Sequence, residues 1–460
     1  MSLKPYPHYR ASGVEWLGDV PKHWTVQPAT AISRVVTSTV DKKSYDDEVP
    51  VRLCNYTDVY YNDVLVDDPH YMKATATPSQ IMAFTPKSGD VAITKDSETS
   101  DDIGIPAYVR NDMPGVVFGY HLAIYRPNDT RYSRFIRYLF ESKYVKTTFE
   151  NKTPGVTRVG LSQNTMKYLR VPTPSVHEAE QIGDYLDRET AEIDAFIADQ
   201  EKLISLLNER RAATITQAVT KGLDPKVSLE CSGVEWLDAI PAGWTIQRLE
   251  HVTSRVIDCL HTTPDEDVAG EFVSVKTSCV RDGRFSPDRG LDISRDTYQV
   301  RTAKGRPSKG DIFFTREAPA GEAALVPADS IYALGQRMVL LKCDQIKLDP
   351  QLLLWNLYMP HMRSYIDVET SGSIVQNLPI PKIQMMPVVV PAKDQQAQIV
   401  DFLNRETNEF DLAIADAKES IALSKERRAA LISAAVTGKI DVRDAVASKQ
   451  QSLEGEFVVH

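Results

Sequence analysis

The chain has 460 residues, of which 42% are hydrophobic and 25% charged, and its formal net charge is −10. This length corresponds to about three domains of roughly 150 residues, and the composition excludes a disordered, collagen-like or low-complexity protein. The five cysteines are scattered with no Cys-x-x-Cys pair, which argues against a disulfide framework or a zinc site and favours a reducing cytoplasm. No apolar run approaches the ~20 residues of a membrane span, and the N-terminus lacks the apolar core of a signal peptide. We therefore expect a cytoplasmic protein that makes no contact with a membrane.

Two long internal repeats show that the sequence is a tandem duplication. Residues 12–27 (SGVEWLGDVPKHWTVQ) and 232–247 (SGVEWLDAIPAGWTIQ) are identical at ten of 16 positions, at an offset of 220. Residues 181–223 and 398–440 agree at 23 of 43 positions, at an offset of 217. Each copy therefore consists of an opening with two tryptophans, a divergent body and a charged segment, and the architecture should repeat with the sequence.

The charged segments have the pattern of long amphipathic helices, because apolar residues recur at spacings of three and four on a charged background. Ser175 with Glu178 forms a capping-box start, and Gly222 marks the end of the first helix. From 175 to 223 the helix would be on the order of 70 Å long. A helix of this length needs a partner, and the duplicate at 392–441 predicts an intramolecular antiparallel coiled coil. The alternative is a helix that packs along the surface of one domain.

The two bodies contain short apolar runs broken by Gly, Pro, Asn and Asp, which are typical of strands and turns. Residues 88–95 (SGDVAITK) align with 309–316 (KGDIFFTR), and residues 119–124 (GYHLAI) align with 335–340 (GQRMVL). We predict an α+β fold in which two similar mixed α/β bodies are joined by two long helices. A constant helical frame with divergent bodies suggests two different recognition heads.

Catalytic signatures are missing from the sequence. It contains no phosphate-binding Gly-x-x-x-x-Gly-Lys-Ser/Thr loop, no Gly-x-Gly-x-x-Gly after a strand, no His-Glu-x-x-His and no Gly-x-Ser-x-Gly. The Asn/Asp-Pro-Pro-aromatic motif of amino-methylating enzymes is also missing, since the chain has no Pro-Pro pair. We therefore expect no catalysis, cofactor or metal in this chain alone. A self-sufficient nuclease or methyltransferase is the disfavoured alternative, and cofactor-dependent turnover by the purified chain would restore it.

Basic residues are concentrated in the bodies, although the net charge taken alone weighs against a nucleic-acid partner. Residues 151–170 carry four basic residues and no acid, and so do residues 301–310. Arg131, Arg134 and Arg137 lie three apart on one side of a predicted helix. Local positive charge on an acidic chain is typical of a protein that contacts DNA phosphates in one groove, whereas the alternative is a set of solvated polar loops.

The candidate DNA-contacting residues are chosen by charge and by base-pairing chemistry, because Asn and Gln pair with adenine and Arg pairs with guanine in the major groove. For the first body they are Lys95, Tyr120, His121, Lys152, Thr153, Arg158, Gln163 and Asn164. For the second body they are Lys304, Arg306, Arg316, Gln336, Arg337, Ser373, Gln376 and Asn377. The four tryptophans of the openings are interpreted as core anchors that clasp body to helix.

The chain resembles the specificity subunits of type I restriction–modification systems. The resemblance rests on Ser-Gly-Val-Glu-Trp-Leu-x-x-x-Pro-x-x-Trp at 12–24 and 232–244, and on Glu-Arg-Arg-Ala-Ala at 209–213 and 426–430, which end the helical segments. The order of the parts matches as well, so that the resemblance covers essentially the whole chain. It implies target-recognition domains at 1–174 and 224–391, long helices at 175–223 and 392–441, and a tail at 442–460.

The resemblance further implies that the two domains read the halves of a gapped, asymmetric site in double-stranded DNA. It implies docking of two adenine-N6 methyltransferase subunits, which bring S-adenosylmethionine, and of restriction subunits that use ATP and Mg where a system has them. The base-contacting residues vary in this family, so none is assigned by the resemblance. A duplicated scaffold without DNA readout is the alternative, and it would lack the steep salt dependence of phosphate binding.

Overall fold

A computed structural model of the chain describes residues 4–153, 159–328, 331–370 and 377–444. It divides into two compact units. Unit 1 contains Met1–Glu201 and Lys418–His460, and unit 2 contains Lys202–Ala417. Three candidate DNA-contacting residues, Arg158, Ser373 and Gln376, lie outside the described residues.

Unit 1 is built on a five-stranded and a three-stranded sheet. Its strands are β1 (Tyr9–Ala11), β2 (Asp19–Pro21), β3 (Thr25–Pro28), β4 (Ser33–Thr37), β5 (Val49–Cys54), β6 (Val64–Leu65), β7 (Met72–Ala76), β8 (Val91–Thr94), β9 (Asp96–Ser97), β10 (Pro106–Val109), β11 (Val116–Phe118), β12 (Leu122–Pro127), β13 (Val159–Gly160) and β14 (Arg170–Thr173). Its helices are α1 (Tyr56–Tyr60), α2 (Pro78–Phe84), α3 (Ser133–Glu141), α4 (Lys143–Glu150), α5 (Gln163–Lys167) and the first part of α6 (Val176–Lys221). The sheet orders are β4-β12-β8-β10-β6 and β11-β5-β7.

Unit 2 repeats this plan with a four-stranded and a three-stranded sheet. Its strands are β15 (Leu229–Val234), β16 (Leu237–Pro241), β17 (Thr245–Arg248), β18 (Thr253–Asp258), β19 (Phe272–Val275), β20 (Val280–Arg281), β21 (Arg284–Phe285), β22 (Leu291–Ile293), β23 (Ile312–Thr315), β24 (Ala323–Leu325), β25 (Tyr332–Leu334), β26 (Met338–Cys343) and β27 (Pro387–Val390). Its helices are α7 (Leu249–Val252), α8 (Arg295–Thr302), α9 (Pro350–Leu357), α10 (Pro360–Thr370), α11 (Ile380–Gln384) and most of α12 (Lys393–Val436). The sheet orders are β18-β26-β23-β24 and β22-β19-β25.

The two bodies share their sheet topology, which confirms the duplication that the sequence predicts. In each larger sheet the equivalent strands follow one order, with β4, β12, β8 and β10 corresponding to β18, β26, β23 and β24. In each smaller sheet the central strand pairs with one neighbour in parallel and with the other antiparallel. The runs predicted as strands are buried along their full length in β8 and β23, so they form the centre of each core.

Both long helices form, and both are divided between the two units. Residues 176–201 of α6 belong to unit 1 and residues 202–221 to unit 2, whereas α12 runs from unit 2 into unit 1 after residue 417. In unit 1, Ile182 of α6 and Ile432 of α12 lie in one core. In unit 2, Val219 of α6 and Leu403 of α12 do the same. Each unit therefore contains the start of one helix and the end of the other, as the predicted antiparallel coiled coil requires.

Each opening segment packs where one long helix begins and the other ends. In unit 1, Trp24 is buried, and a Cβ added at Gly438 after α12 would lie 3.1 Å from the Trp24 ring. In unit 2, Trp244 is buried, and a Cβ added at Gly222 after α6 would lie 3.4 Å from the Trp244 ring. The interpretation of these two tryptophans as core anchors is confirmed, whereas Trp16 is exposed.

The row of arginines on α3 is neutralised by carboxylates of the same unit. Arg134 lies 2.5 Å from Asp184 and 3.0 Å from Asp187, both on α6. The side chain of Arg137 is 9% exposed and pairs with Asp63 and Glu141. These side chains connect α3 to its neighbours, which corrects their interpretation as free positive surface. Within the described ranges, no helix combines the length and the apolar character that a membrane crossing requires.

Candidate nucleic-acid interface

Polar side chains from three chain segments meet at one end of the larger sheet in each unit. Strand β8 ends where β12 begins, with Thr94 opposite Leu122, and β23 ends where β26 begins, with Thr315 opposite Met338. The residues after the first strand and before the second are therefore neighbours. Four predicted residues of unit 1 and unit 2, namely Lys95, His121, Arg316 and Arg337, occupy these positions.

The backbone at this strand end is bonded identically in both units. Lys95 N–H donates to the carbonyl of His121, and Arg316 N–H donates to the carbonyl of Arg337. A third segment then returns to the same place. Leu161 N–H donates to the carbonyl of Lys95, as Leu378 N–H donates to that of Arg316. Because these hydrogen bonds involve only the backbone, the side chains at this strand end can differ between the units. Two domains that recognise different targets need this property.

In unit 1 the cluster combines a lysine, an aspartate, a tyrosine and a histidine. Lys95 Nζ lies 3.9 Å above the ring centre of Tyr120, a cation–π contact, and 3.9 Å from Asp96 Oδ2. His121 Nδ1 is 2.9 Å from the same carboxylate oxygen. Tyr120 is 53% exposed, so its ring and hydroxyl are presented to solvent. We name Lys95, Asp96, Tyr120 and His121 the unit 1 cluster.

In unit 2 the same positions carry Arg316, Glu317, Gln336 and Arg337, which we name the unit 2 cluster. Arg316 Nε and Arg337 Nε lie 3.9 and 3.6 Å from the two carboxylate oxygens of Glu317. The acid after the first strand therefore pairs with both basic positions, as Asp96 does in unit 1. Gln336 Oε1 accepts from the hydroxyl of Thr263 at 2.6 Å. Arg337 is exposed and Gln336 partly exposed.

Arg316 is 8% exposed and is held by two further partners. Its Nη1 lies 2.9 and 3.0 Å from the two oxygens of Asp258, and its Nε and Nη2 lie 3.1 and 3.0 Å from Asn377 Oδ1. A buried guanidinium with these acceptors is fixed in place, because separation from Asp258 would leave two charges without a partner and separation from Asn377 would leave its N–H donors unbonded. Arg316 thus brings the predicted Asn377 into the cluster.

A cavity of about 400 Å³ opens beside the unit 1 cluster. Among its lining residues are Tyr56, Tyr60, Asp96, Asp102 and His121. The rings of Tyr56 and Tyr60 are stacked at 5.5 Å. The Tyr60 hydroxyl donates to Asp102 at 2.9 Å, and this hydrogen bond raises the pKa of Tyr60 to about 12. Aromatic rings can stack on the face of a nucleic-acid base, and carboxylates can accept from an amino group on its edge.

The ligand atoms of Asp258, Cys259 and His261 lie within 4.8 Å of one another, as the ligands of a metal site would. They form the one such group in the ranges that the structure describes. Both oxygens of Asp258 already accept from Arg316, and burial raises the pKa of the Cys259 thiol to about 11. Because the Arg316 guanidinium already occupies both oxygens of Asp258 and places a positive charge beside the group, the group fits an ion pair.

The remaining candidates lie apart from the clusters or face solvent beside them. Gln163 and Asn164 are exposed at the start of α5, shortly after Leu161. Lys152 is exposed, whereas Thr153 is buried and its hydroxyl donates to the carbonyl of Phe149 at 2.9 Å.

In unit 2, Lys304 and Arg306 are exposed in the loop after α8. The carbonyl of Arg306 accepts from Lys342 Nζ, which is four residues along β26 from the cluster end. Arg301, in the same basic stretch, is 9% exposed and donates to the carbonyls of Leu334 and Thr262. Arg301 is therefore structural, which corrects the interpretation of that stretch as uniformly available to phosphates.

Sequence reasoning missed the acids of the clusters. Asp96 and Glu317 directly follow Lys95 and Arg316, so extending the alignment of the two bodies by one residue would have found an acid in both. Asp258 had no such signal, because it precedes the cluster by 58 residues and reaches it only through the pairing of β18 with β26.

Comparison with known proteins gives consistent matches. Residues 268–421 match the family model described as type I restriction modification DNA specificity domain. The putative type I restriction enzyme MjaX specificity subunit of Methanocaldococcus jannaschii is 20% identical over 431 residues, 93% of this chain and 96% of that protein. The EcoBI specificity subunit of Escherichia coli is 23% identical over 301 residues, 58% of this chain and 62% of its own length.

Solved structures share the fold. A chain from a study of complex assembly and conformational transition of the type I R-M system has a TM-score of 0.69 at 15% identity, covering 92% of this chain and 99% of that one. The HsdS subunit of Thermoanaerobacter tengcongensis has a TM-score of 0.51 at 16% identity, covering 92% of this chain and 98% of its own. The family match over residues 268–421, the relative matched along most of the chain and the duplicated bodies with their shared helices together make this chain similar to the specificity subunits of type I restriction–modification systems.

Proposed function

We propose that each unit of this chain reads one half of a gapped, asymmetric site in double-stranded DNA. The observation that carries the proposal is the pair of clusters, which share their backbone frame and differ in every side chain. Lys, Tyr and His in unit 1 correspond to Arg, Gln and Arg in unit 2, so the two clusters present different donors and acceptors. Because sequence is read by hydrogen bonds to base edges, the two half-sites should differ.

We propose further that the chain is not itself catalytic and positions two adenine-N6 methyltransferase subunits on this DNA. The duplication supports two equivalent docking places on one chain, and the sequence lacks the motif of amino-methylating enzymes. The partners would supply S-adenosylmethionine and would take the target adenine out of the stack. Restriction subunits with ATP and Mg would join the assembly where the system has them.

The test is to map N6-methyladenine in the genome of a methylation-free host that expresses the chain with its methyltransferase subunits. We expect one gapped, asymmetric motif modified on both strands. The methyltransferase subunits expressed without the chain are the control, and they should leave that motif unmodified. An assembled complex that binds S-adenosylmethionine and modifies no sequence motif would contradict the proposal.

A further inference from the structure

The amide of Asn377 is held in one orientation by Arg316. Two guanidinium nitrogens of Arg316, Nε and Nη2, lie 3.1 and 3.0 Å from Asn377 Oδ1. A guanidinium carries only donors, so the amide atom that faces it must be the oxygen. This orientation follows from the chemistry of the pair, and no hydrogen position has to be assumed. The contact between Gln336 and Thr263 is different, because a hydroxyl can donate or accept and leaves the amide free to turn.

Both the side chain and the backbone of Asn377 are anchored to the cluster. Arg316 cannot move away easily, since Asp258 binds its Nη1 with both oxygens and the residue is 8% exposed. The backbone of Asn377 forms a β-bridge with Glu317, and the following Leu378 donates to the carbonyl of Arg316. A partly exposed side chain held in this way is preorganised, which reduces the entropy lost on binding.

What remains available on Asn377 is a hydrogen-bond donor. Within the described ranges no acceptor lies at its Nδ2. Asparagine usually recognises adenine by accepting from N6 and donating to N7, but here the accepting oxygen is already occupied by two donors. The amide nitrogen matches O6 of guanine and O4 of thymine, the acceptors that stand where adenine and cytosine carry amino groups, whereas N7 accepts in both purines and would not discriminate between them. It does not match the amino groups of adenine or cytosine.

We propose that Asn377 reads one base of the second half-site by donating to O6 of guanine or O4 of thymine, and that Arg316 is the residue that positions it. The inference rests on the proposed function of unit 2 and adds to it the chemical character of one recognised base. It also replaces the expectation that this asparagine pairs with adenine.

Unit 1 lacks an equivalent of the Arg316–Asn377 pair and therefore serves as an internal control. The position that corresponds to Asn377 is Gly160, because Gly160 pairs with Asp96 as Asn377 pairs with Glu317. The residue that corresponds to Arg316 is Lys95, whose ammonium group lies on the ring of Tyr120. Any change at Asn377 should therefore alter the second half-site and leave the first unchanged.

The test uses Asn377→Asp in the full chain assembled with its methyltransferase subunits. Aspartate has the same shape and still accepts from Arg316, but its second oxygen accepts where the amide donated. Binding is measured on a DNA library in which the second half-site is randomised. At one position, we expect the ratio of binding to guanine or thymine over adenine or cytosine to fall about ten- to a hundredfold. Because this ratio compares different DNA sequences bound by the same variant, any general repulsion between the new aspartate and the DNA phosphates cancels.

Arg316→Lys serves as the second variant. It keeps the positive charge beside Asp258 but cannot hold the amide with two parallel donors. Selection at that same position should weaken towards equal binding of all four bases, without inverting, and the first half-site should stay unchanged.

Outcomes distinguish the two proposals. If the unmodified complex shows a gapped motif and both variants keep the same base preference, the role of Asn377 is refuted while the function of the chain stands. If the unmodified complex shows no sequence preference, the proposed function itself fails. Adenine as the selected base at the position that Asn377→Asp alters would also overturn the inference.

Discussion

Gly438 allows the first opening segment to close against the end of α12. Its φ is +70°, and an added Cβ would lie 2.3 Å from Pro21. Gly438→Ala should lower the free energy of unfolding by about 2–4 kcal/mol, because backbone strain and overpacking act together. Gly13→Ala is the matched control, since Gly13 has φ +72° with nothing within 4 Å, and should cost about 1–2 kcal/mol. Equal urea midpoints for the two variants would show that the close approach does not matter.

His361 gives unit 2 a response to acid. Its ring stacks on Trp236 of the second opening at 3.6 Å, and burial lowers its pKa from 6.5 to about 4. Between these values the unfolded chain takes up a proton that the folded chain does not, so the free energy of unfolding falls as pH falls through this window. His361→Phe keeps a flat ring and removes this uptake. Its urea midpoint should therefore decrease less than that of the unmodified chain between about pH 7 and about pH 5.

Identical decreases in the two proteins would show that His361 is not responsible. Trp236 packs against the hydrophobic core of unit 2, so the stability of His361→Phe at pH 7 is measured separately, and only the change with pH is compared.

At the residue scale, the sequence predicted the basic and polar positions of the clusters, but neither their acids nor how the side chains are engaged. Lys95 and Arg316 were candidates because of their charge, and both directly follow equivalent strands, β8 and β23. The burial of Arg316 could not be predicted, because it depends on Asp258, which is distant in the chain and adjacent only after β18 pairs with β26. The buried hydroxyl of Thr153 likewise depends on where α4 ends.

At the scale of elements, an ion pair repeated by the duplication connects the long helices. In unit 1, Arg428 of α12 lies 2.9 Å from Asp194 of α6 and also 2.9 Å from Glu141. In unit 2, Arg211 of α6 lies 3.6 Å from Asp411 of α12. The two pairs relate by the offset of 217 residues that relates the helices. They favour one register, because sliding one helix along the other would separate both pairs.

Arg428→Gln should destabilise unit 1 by about 2 kcal/mol, because it leaves the largely buried Glu141 with fewer partners. Arg427→Gln is the control on the neighbouring, exposed arginine of the same helix, and a change within about 0.5 kcal/mol is expected there. Thermal unfolding of both variants at equal pH measures the difference. A loss for Arg427→Gln as large as that for Arg428→Gln would assign the effect to general surface charge.

The sequence predicts that the first long helix starts at 175, and α6 begins at Val176. The role of the Glu178 carboxylate at this helix start was not predicted. Ser175 accepts from Glu178 N–H at 3.2 Å, as a capping box requires. The carboxylate of Glu178 binds Tyr6 and His23 of the opening segment at 2.8 and 3.0 Å. Glu178, whose position is typical of a local helix cap, therefore connects α6 to the opening segment. This contact could not be predicted from the sequence, because it depends on how the opening segment folds.

At the scale of the whole molecule, an acidic chain that binds DNA must do so through local positive charge. Its affinity should therefore fall steeply with salt, and Lys304→Ala should reduce the slope of log affinity against log salt by about 1. Lys226→Ala, in the exposed loop after α6, is the control and should leave the slope unchanged. The measurement is a salt titration of the assembled complex on its own site, and a slope that Lys304→Ala does not alter would remove this residue from the phosphate contacts.

The division of the chain into units has a consequence for its synthesis. Unit 2 is one continuous stretch, Lys202–Ala417, whereas unit 1 needs Lys418–His460 to join Met1–Glu201. The ribosome therefore releases every residue of the second body before it releases the end of α12, against which Trp24 packs. The half that is translated first is completed last, and until then the part of its opening segment that packs on the end of α12 lacks that partner.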